Sequence, residues 1–243
     1  MTDPIYAIGD IHGQLSMLET ALARIESDGG PDAQIVFLGD YTDRGPDSRG
    51  VLNLLVQGQK QGRNWTFLKG NHDRMMEWFL GDPPRQDPHL LVGYHWFHDR
   101  LGGIETLQSY GIDQIEGRRQ TELATEARAT VPTDHLTFLR GLHLSHTQGP
   151  LFFAHAGIRP GVPLDQQAEN DLLWIRQEFH NDPRDHGPLI VHGHTPVEGP
   201  THYGNRVNLD SGAGYGYPLT TAVFEGRDCW TLTDTGRKPL LPD

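Results

Sequence analysis

The chain has 243 residues, 36% of them apolar, and 20 Lys and Arg against 32 Asp and Glu give a formal net charge of −12. That length allows one large domain or two small ones, and no shift of composition marks a linker, so a single domain over 1–243 is expected. The acidic balance excludes a surface that holds nucleic acid through clustered Lys and Arg, and it repels phosphorylated substrates at long range, so their attraction has to come from local cations.

The single cysteine, Cys229, rules out an internal disulfide and a thiolate metal cluster, so any metal site must be built from nitrogen and oxygen ligands. A reducing cytoplasm is compatible with that usage. The opening MTDPIYAIGD has no basic region followed by a long apolar core, and no later stretch approaches the length of a membrane span. A soluble, cytoplasmic protein without a membrane partner is expected.

In chain order, residues 5–8 are a short apolar run ending in Gly9-Asp10, and after His12-Gly13 the residues Leu15, Leu18, Leu22 and Ile25 recur at helical spacing. Strand, loop and helix follow from that pattern. The grammar repeats: a strand over 34–38 precedes Gly39-Asp40, and beyond a loop punctuated by Gly and Pro a helix is expected over 51–56. A third round places a strand over 65–68 before Gly70-Asn71-His72-Asp73, with helical character over 75–80 until Gly81-Asp82-Pro83-Pro84 stops it. Three βα units put three polar loops at strand C-terminal ends, where open α/β sheets place ligands.

From about 83 to 141 the pattern changes to helical segments over 94–110 and 121–142 with no strand among them, a helical insertion expected to form one wall of a site. Strand-like runs return at 151–154, 189–191, 206–209, 219–225 and 228–232, the last two reading as a hairpin around Gly226-Arg227. The fold class is α/β.

Hard divalent cations take carboxylate, imidazole and amide oxygen ligands, and a catalytic pair of them shares a ligand. The polar loops hold that inventory. Asp10 and His12 follow the first strand, Asp40 the second and Asn71 the third, while His155 ends the 151–154 run and His194 follows the 189–191 run. Six candidate ligands beyond the ends of five separate apolar runs are hard to reconcile with ordinary surface polarity; convergence on one site is the economical explanation.

The motifs around these residues are G-D-I-H-G at Gly9 to Gly13, G-D-Y-T-D-R-G at Gly39 to Gly45, G-N-H-D at Gly70 to Asp73, H-A-G at His155 to Gly157 and G-H-T at Gly193 to Thr195. In that order they resemble the calcineurin-like metallophosphoesterases, and D-R-G in the second block resembles the phosphoprotein phosphatase branch that includes bacterial and phage serine/threonine phosphatases. The resemblance implies two mixed β-sheets packed face to face with helices outside and the metals at the strand ends. It implies that Asp10 and His12 bind a first divalent ion, that Asp40 bridges, and that Asn71, His155 and His194 complete a second. Manganese is the ion the family suggests, with iron or zinc also compatible with these ligands. His72 would donate a proton to the leaving alkoxide, with Asp43 orienting it; Arg44 would hold the phosphate, and Arg176 resembles a second phosphate-binding arginine.

The chemistry accounts for these residue types independently. Water bridging two divalent ions loses a proton near neutral pH and can attack phosphorus as hydroxide. An arginine fork matches phosphoryl oxygens, and a positioned acid speeds loss of a poor leaving group by about 10²–10⁴.

Taken alone, each Gly-Asp pair reads as a turn. His89, His95 and His98 read as packing or cleft-lining residues, His192 as a neighbour of the ligand His194, and Cys229 as a core or edge residue. Tyr215 and Tyr217 sit on a Gly-rich stretch that can return to the cleft. The leading expectation is a phosphomonoesterase acting on phosphoserine or phosphothreonine of proteins, with phosphotyrosine or small phosphoesters as further substrates. A symmetrical dinucleoside tetraphosphate hydrolase is the alternative, disfavoured because those enzymes usually lack Asp at the position of Asp43. A non-catalytic module that kept the fold is disfavoured by the intact residue set, and a nuclease by the acidic balance.

Overall fold

In the computed structural model, which describes residues 3–242, the three βα units are β1 (Ile5–Ile8) with α1 (Leu15–Gly29), β2 (Gln34–Phe37) with α2 (Ser48–Lys60), and β3 (Trp65–Phe67) with α3 (Asn71–Phe79). Three terminal residues of the domain expected over 1–243 lie outside the described residues. The segment that follows holds α4 (Gly103–Ser109), α5 (Gln120–Thr130) and α6 (Thr133–Arg140) and no strand. Next come β4 (Ser145–Gln148), β5 (Leu151–Ala154), α7 (Glu169–Trp174), α8 (Gln177–His180), β6 (Leu189–His192), β7 (Thr201–His202) and β8 (Arg206–Asn208). The chain closes with β9 (Thr221–Glu225), β10 (Asp228–Thr233) and β11 (Gly236–Pro239).

These strands form two mixed sheets. One runs β11-β10-β9-β1-β2-β3, with β1, β2 and β3 parallel and β9 antiparallel to β1; the other runs β4-β5-β6-β8-β7, with β5, β6 and β8 parallel. Because successive side chains alternate across a sheet, each strand feeds two cores. Ala7, Val36 and Leu38 of the first sheet meet Phe153, Val191 and Val207 of the second between the sheets. Their neighbours Tyr6, Ile8, Ile35 and Phe37 face outward, against Leu18 and Ile25 of α1 and Val51 and Leu55 of α2. On the far side, Phe152 and Ile190 pack on Leu172 and Phe179 from α7 and α8. Each Leu, Ile or Phe fully buried in these layers contributes roughly 1.5–3 kcal/mol. The face-to-face double sheet flanked by helices is the architecture that the resemblance implied.

The hairpin expected near Gly226 is β9–β10, in which Asp228 pairs with Glu225. Helix α3 begins at Asn71, well before the expected 75, because Asp73 in its first turn accepts the N–H of Gly70 at 2.8 Å and caps the helix. The residues over 94–110 are helical only from Gly103; the preceding Gly102 adopts φ 87°, a left-handed conformation that separates the turns before it from α4. The run over 121–142 is two helices, broken where Val131 precedes Pro132. Three short strands, β4, β7 and β11, had no sequence expectation; each lies at the end of its sheet order, where a strand needs no apolar alternation.

Candidate metal centre and active site

The parallel strands of both sheets point the same set of loops at one place. Asp10 and His12 follow β1, Asp40 follows β2, Asn71 opens α3 just after β3, and His155 and His194 follow β5 and β6. Their contacts close the ring. Oδ1 of Asn71 lies 3.0 Å from Nε2 of His155 and 2.8 Å from Nδ1 of His194. Asp40 reaches Nε2 of His12 at 3.4 Å with Oδ2 and Nε2 of His155 at 3.5 Å with Oδ1. Asp10 accepts the backbone N–H of His194 at 3.1–3.2 Å. All six are buried.

The backbone that presents them is strained. Among the described residues, the non-glycine residues with positive φ are His12 (47°), Asp40 (52°), Asp43 (74°), Arg44 (66°) and His194 (68°), all five at this site. Each left-handed placement costs about 1–3 kcal/mol, and such residues gather where function requires the conformation.

Tautomers follow from the backbone. Nδ1 of His12 lies 2.8 Å from the carbonyl of Thr42 and Nδ1 of His155 lies 2.9 Å from the carbonyl of Leu38; a carbonyl only accepts, so both Nδ1 atoms carry the hydrogen. Both Nε2 atoms therefore turn bare lone pairs toward Asp40, and that of His155 also faces the amide oxygen of Asn71. On the His155 side, acceptors so crowded repel unless a cation lies between them, while on the His12 side a guanidinium N–H of Arg44 also meets Nε2; the donor set fits a divalent ion. The groups His12, Asp40, His72 and Asp40, His155, His194 each bring their ligand atoms within 4.8 Å of one another.

Burial adds to that demand. Asp10 is driven well above the ordinary carboxylate range by desolvation, then by the charges of Asp210 and Asp40, and Asp40 is pushed up to about 7, chiefly by burial. Desolvation holds His12 and His194 well below the ordinary imidazole value and lowers His155 to about 4. A cation reverses this logic by favouring deprotonated ligands.

Beside this ring stand the residues expected to handle the proton and the phosphate. Nδ1 of His72 lies 2.7 Å from Oδ2 of Asp43, and its Nε2 lies 3.0 Å from a guanidinium nitrogen of Arg44. Burial pushes His72 down and Asp43 up, so one proton between Oδ2 and Nδ1 satisfies both. Arg44 also contacts Nε2 of His12 and spreads over the ring of Tyr215 at 4.9 Å. Arg176 is at the rim, between α7 and α8, where it donates to Thr195 at 3.3 Å and feels the charges of Asp40 and Asp210.

Other residues from the sequence divide. His89 stacks on Trp174, which in turn meets His194 edge-on, so His89 lines the cleft; His98 stacks on Tyr94, away from the ring. His95 meets Phe97 edge-on, also outside the ring. His192 points from the site toward Arg206, 3.1 Å away, and Cys229 is buried on β10. Sequence reasoning overlooked Asp73 and Asp210. The first is three residues after Gly70, a capping position, and the second follows the β8 run by the same strand-end rule that marked the ligands.

A double sheet with a buried His, Asp and Asn ring at its strand ends defines a metal-dependent hydrolase. The chain belongs to the calcineurin-like phosphoesterase family, whose sequence profile matches residues 3–219. It is similar to the asymmetrical bis(5'-nucleosyl)-tetraphosphatase PrpE of Anoxybacillus flavithermus, 29% identical over an alignment 250 positions long that covers 94% of this chain and 93% of that protein. It is also similar to serine/threonine-protein phosphatase 1 of Salmonella typhimurium, 29% identical over 230 residues that cover 91% and 92%. The cold-active protein-tyrosine phosphatase of a psychrophilic Shewanella shares the fold, with a TM-score of 0.62 at 18% identity, covering 99% of this chain and 83% of that one. The chain is thus a phosphoester hydrolase.

Proposed function

We propose that this hydrolase is a phosphomonoesterase of the protein-phosphatase kind, cleaving phosphoserine and phosphothreonine. The observation that carries the reading is the 2.7 Å contact of His72 with Asp43, next to Arg44. An alkoxide is a poor leaving group and profits from a positioned acid, whereas a nucleotide phosphate leaves readily without one.

In this reading Asp10, His12 and Asp40 would hold one divalent cation and Asp40, Asn71, His155 and His194 would hold a second, with manganese the expected ion. When bound, such cations lower the pKa of water beside the phosphorus and offset charge on the phosphoryl oxygens. Arg44 and Arg176 bind those oxygens and orient the ester for in-line displacement. His72, taking a second proton on Nε2 once Arg44 has turned to the phosphate, gives it to the departing oxygen as the P–O bond breaks, and Asp43 behind Nδ1 keeps the imidazole aimed. The backbone carbonyls of Thr42 and Leu38 keep the hydrogen on Nδ1 of His12 and His155, which leaves each Nε2 free to ligate. Phosphorylated proteins are the partners this implies.

A second reading is supported by several relatives named as asymmetrical tetraphosphatases, at 25–29% identity. It stands beside the symmetrical hydrolase considered from sequence and differs from it in products. The deciding experiment supplies manganese, iron or zinc to metal-stripped protein and measures phosphate release from phosphoserine and phosphothreonine peptides. Diadenosine tetraphosphate is run alongside with product chromatography. Peptide turnover with intact tetraphosphate upholds the first reading; ATP with AMP moves the assignment to asymmetrical cleavage, and ADP alone to symmetrical cleavage.

A further inference from the structure

The helical segment after α3 does more than border the cleft. Asp43 and Arg44 form a turn of two consecutive left-handed residues, with φ of 74° and 66°, a conformation that non-glycine residues seldom adopt in succession. Residues from 96 to 106 surround it. The indole N–H of Trp96 donates to both carboxylate oxygens of Asp43, at 2.9 and 3.1 Å, and the hydroxyl of Thr106 donates to Oδ1 at 2.7 Å. The same hydroxyl oxygen accepts the backbone N–H of Asp43 at 2.8 Å, and the carbonyl of Gly102 accepts that of Arg44 at 3.2 Å. Gly102 has to be glycine for this approach, since a Cβ there would lie 2.2 Å from the backbone nitrogen of Arg44.

A carboxylate with no exposure needs donors from the protein. Asp43 has His72, Trp96 and Thr106. Trp96 is itself fixed between Phe79 and Phe97, with ring centroids at 4.8 and 5.2 Å, and Thr106 is held by Ser48 at 3.0 Å. Without Trp96 and Thr106 the carboxylate keeps one donor and is free to turn about its bond, and His72 loses a fixed acceptor behind it.

We propose that Trp96 and Thr106 are positioning residues for the proton donor, so that the 83–141 segment sets how well the enzyme expels poor leaving groups. The inference rests on the reading of His72 as the acid. In the step concerned, an oxygen from water bonds to phosphorus while the ester P–O bond breaks with its electron pair on the leaving oxygen, which takes the Nε2 proton of His72; Trp96 and Thr106 touch neither substrate nor proton.

The test is a series of aryl and alkyl phosphate monoesters turned over by Trp96→Phe, Thr106→Val and Thr106→Ser, with metal content and melting temperature measured for each. In Trp96→Phe and Thr106→Val the ratio of alkyl to aryl kcat should fall by about tenfold, a fraction of what a general acid supplies. Thr106→Ser, which keeps the hydroxyl, should restore the parental ratio. An unchanged ratio in Trp96→Phe with normal metal content overturns the proposal, and that variant decides alone if Thr106→Val does not fold. His72→Asn separates the two levels: if its ratio is unchanged, the acid reading fails. If His72→Asn lowers the ratio and Trp96→Phe does not, only the positioning role fails.

Discussion

The carboxylate of Asp73 accepts the backbone N–H of Asp40 at 2.8 Å, which ties the start of α3 to the loop after β2. The same group accepts the N–H of Gly70 at 2.8 Å and that of Tyr41 at 2.9 Å. One fully buried side chain therefore fixes the loop that bears Asp40 against the helix that bears Asn71. Replacing Asp73 by Ala leaves three buried donors without an acceptor, at a cost of roughly 1–3 kcal/mol each before relaxation. The variant should lose about 3 kcal/mol or more in urea unfolding of metal-free protein, where any change in metal affinity does not contribute. A loss below about 1 kcal/mol would show that water replaces the carboxylate and that the two loops are held elsewhere.

Asp40 faces His12 with one oxygen and His155 with the other. If it is the shared ligand, Asp40→Asn should lose most of its bound metal and its activity together, as read by elemental analysis after gel filtration. His72 lies close enough to Asp40 and His12 to compete for the role of ligand. Its use of Nδ1 on Asp43 argues for the acid instead, so His72→Asn should keep the parental metal content while its turnover of alkyl esters falls by about 10²-fold or more. Metal loss in the His72 variant would move that residue into the ligand set.

Close packing of the site gives a sharper steric test. A Cβ on Gly70 would stand 2.1 Å from Oδ1 of Asp40 and 2.3 Å from its backbone nitrogen. Neither atom can yield without breaking the bonds that aim Asp40 at the two histidines. Gly70→Ala should therefore abolish tight metal binding in a titration calorimeter. Gly62→Ala is the control for glycine replacement as such, because no atom lies within 4 Å of a Cβ there, although its φ of 69° still carries strain. Parental metal affinity in Gly70→Ala would mean that the loop after β3 shifts freely.

The ring of candidate ligands was legible as a cluster in the sequence because strand-end loops announce themselves: an apolar run stops, glycine follows, and Asp, His or Asn comes next. The same rule covers Asp10, Asp40 and Asn71 on one sheet and His194 on the other, and His155 follows its apolar run with no glycine between, although no local signal says that the sheets face each other. Trp96 and Thr106 were not legible. Their contacts with Asp43 span 53 and 63 residues, and Trp96 between His95 and Phe97 looks like any aromatic packing run. Helix α3 began earlier than its apolar spacing indicated because a carboxylate cap acts before hydrophobic periodicity starts. Strands β4, β7 and β11 escaped notice because hydrogen bonding to one neighbour, not burial, makes them strands.

A pH effect separable from the metal site comes from His135 on α6, which joins α2 and the end of α4. Its Nε2 lies 2.9 Å from the amide oxygen of Asn53, which only accepts, so Nε2 carries the hydrogen and Nδ1 accepts from the hydroxyl of Tyr110 at 2.6 Å. The neutral ring is fully satisfied, and burial, followed by the charge of Arg49, lowers its pKa from 6.5 to about 4. Above pH 6.5 neither the folded nor the unfolded chain protonates this ring, and its contribution to stability is constant. Between pH 6.5 and about 4 the unfolded chain takes a proton that the folded chain refuses, so stability falls with pH; below about 4 both are protonated and the loss levels off. His135→Leu removes the titration. The stability of the parent minus that of the variant, from urea midpoints in metal-free buffer, should therefore decrease from pH 7 toward pH 4 and then flatten. Parallel curves over that range would show that the ring accepts a proton in place, with Tyr110 turning its oxygen toward Nδ1 as an acceptor.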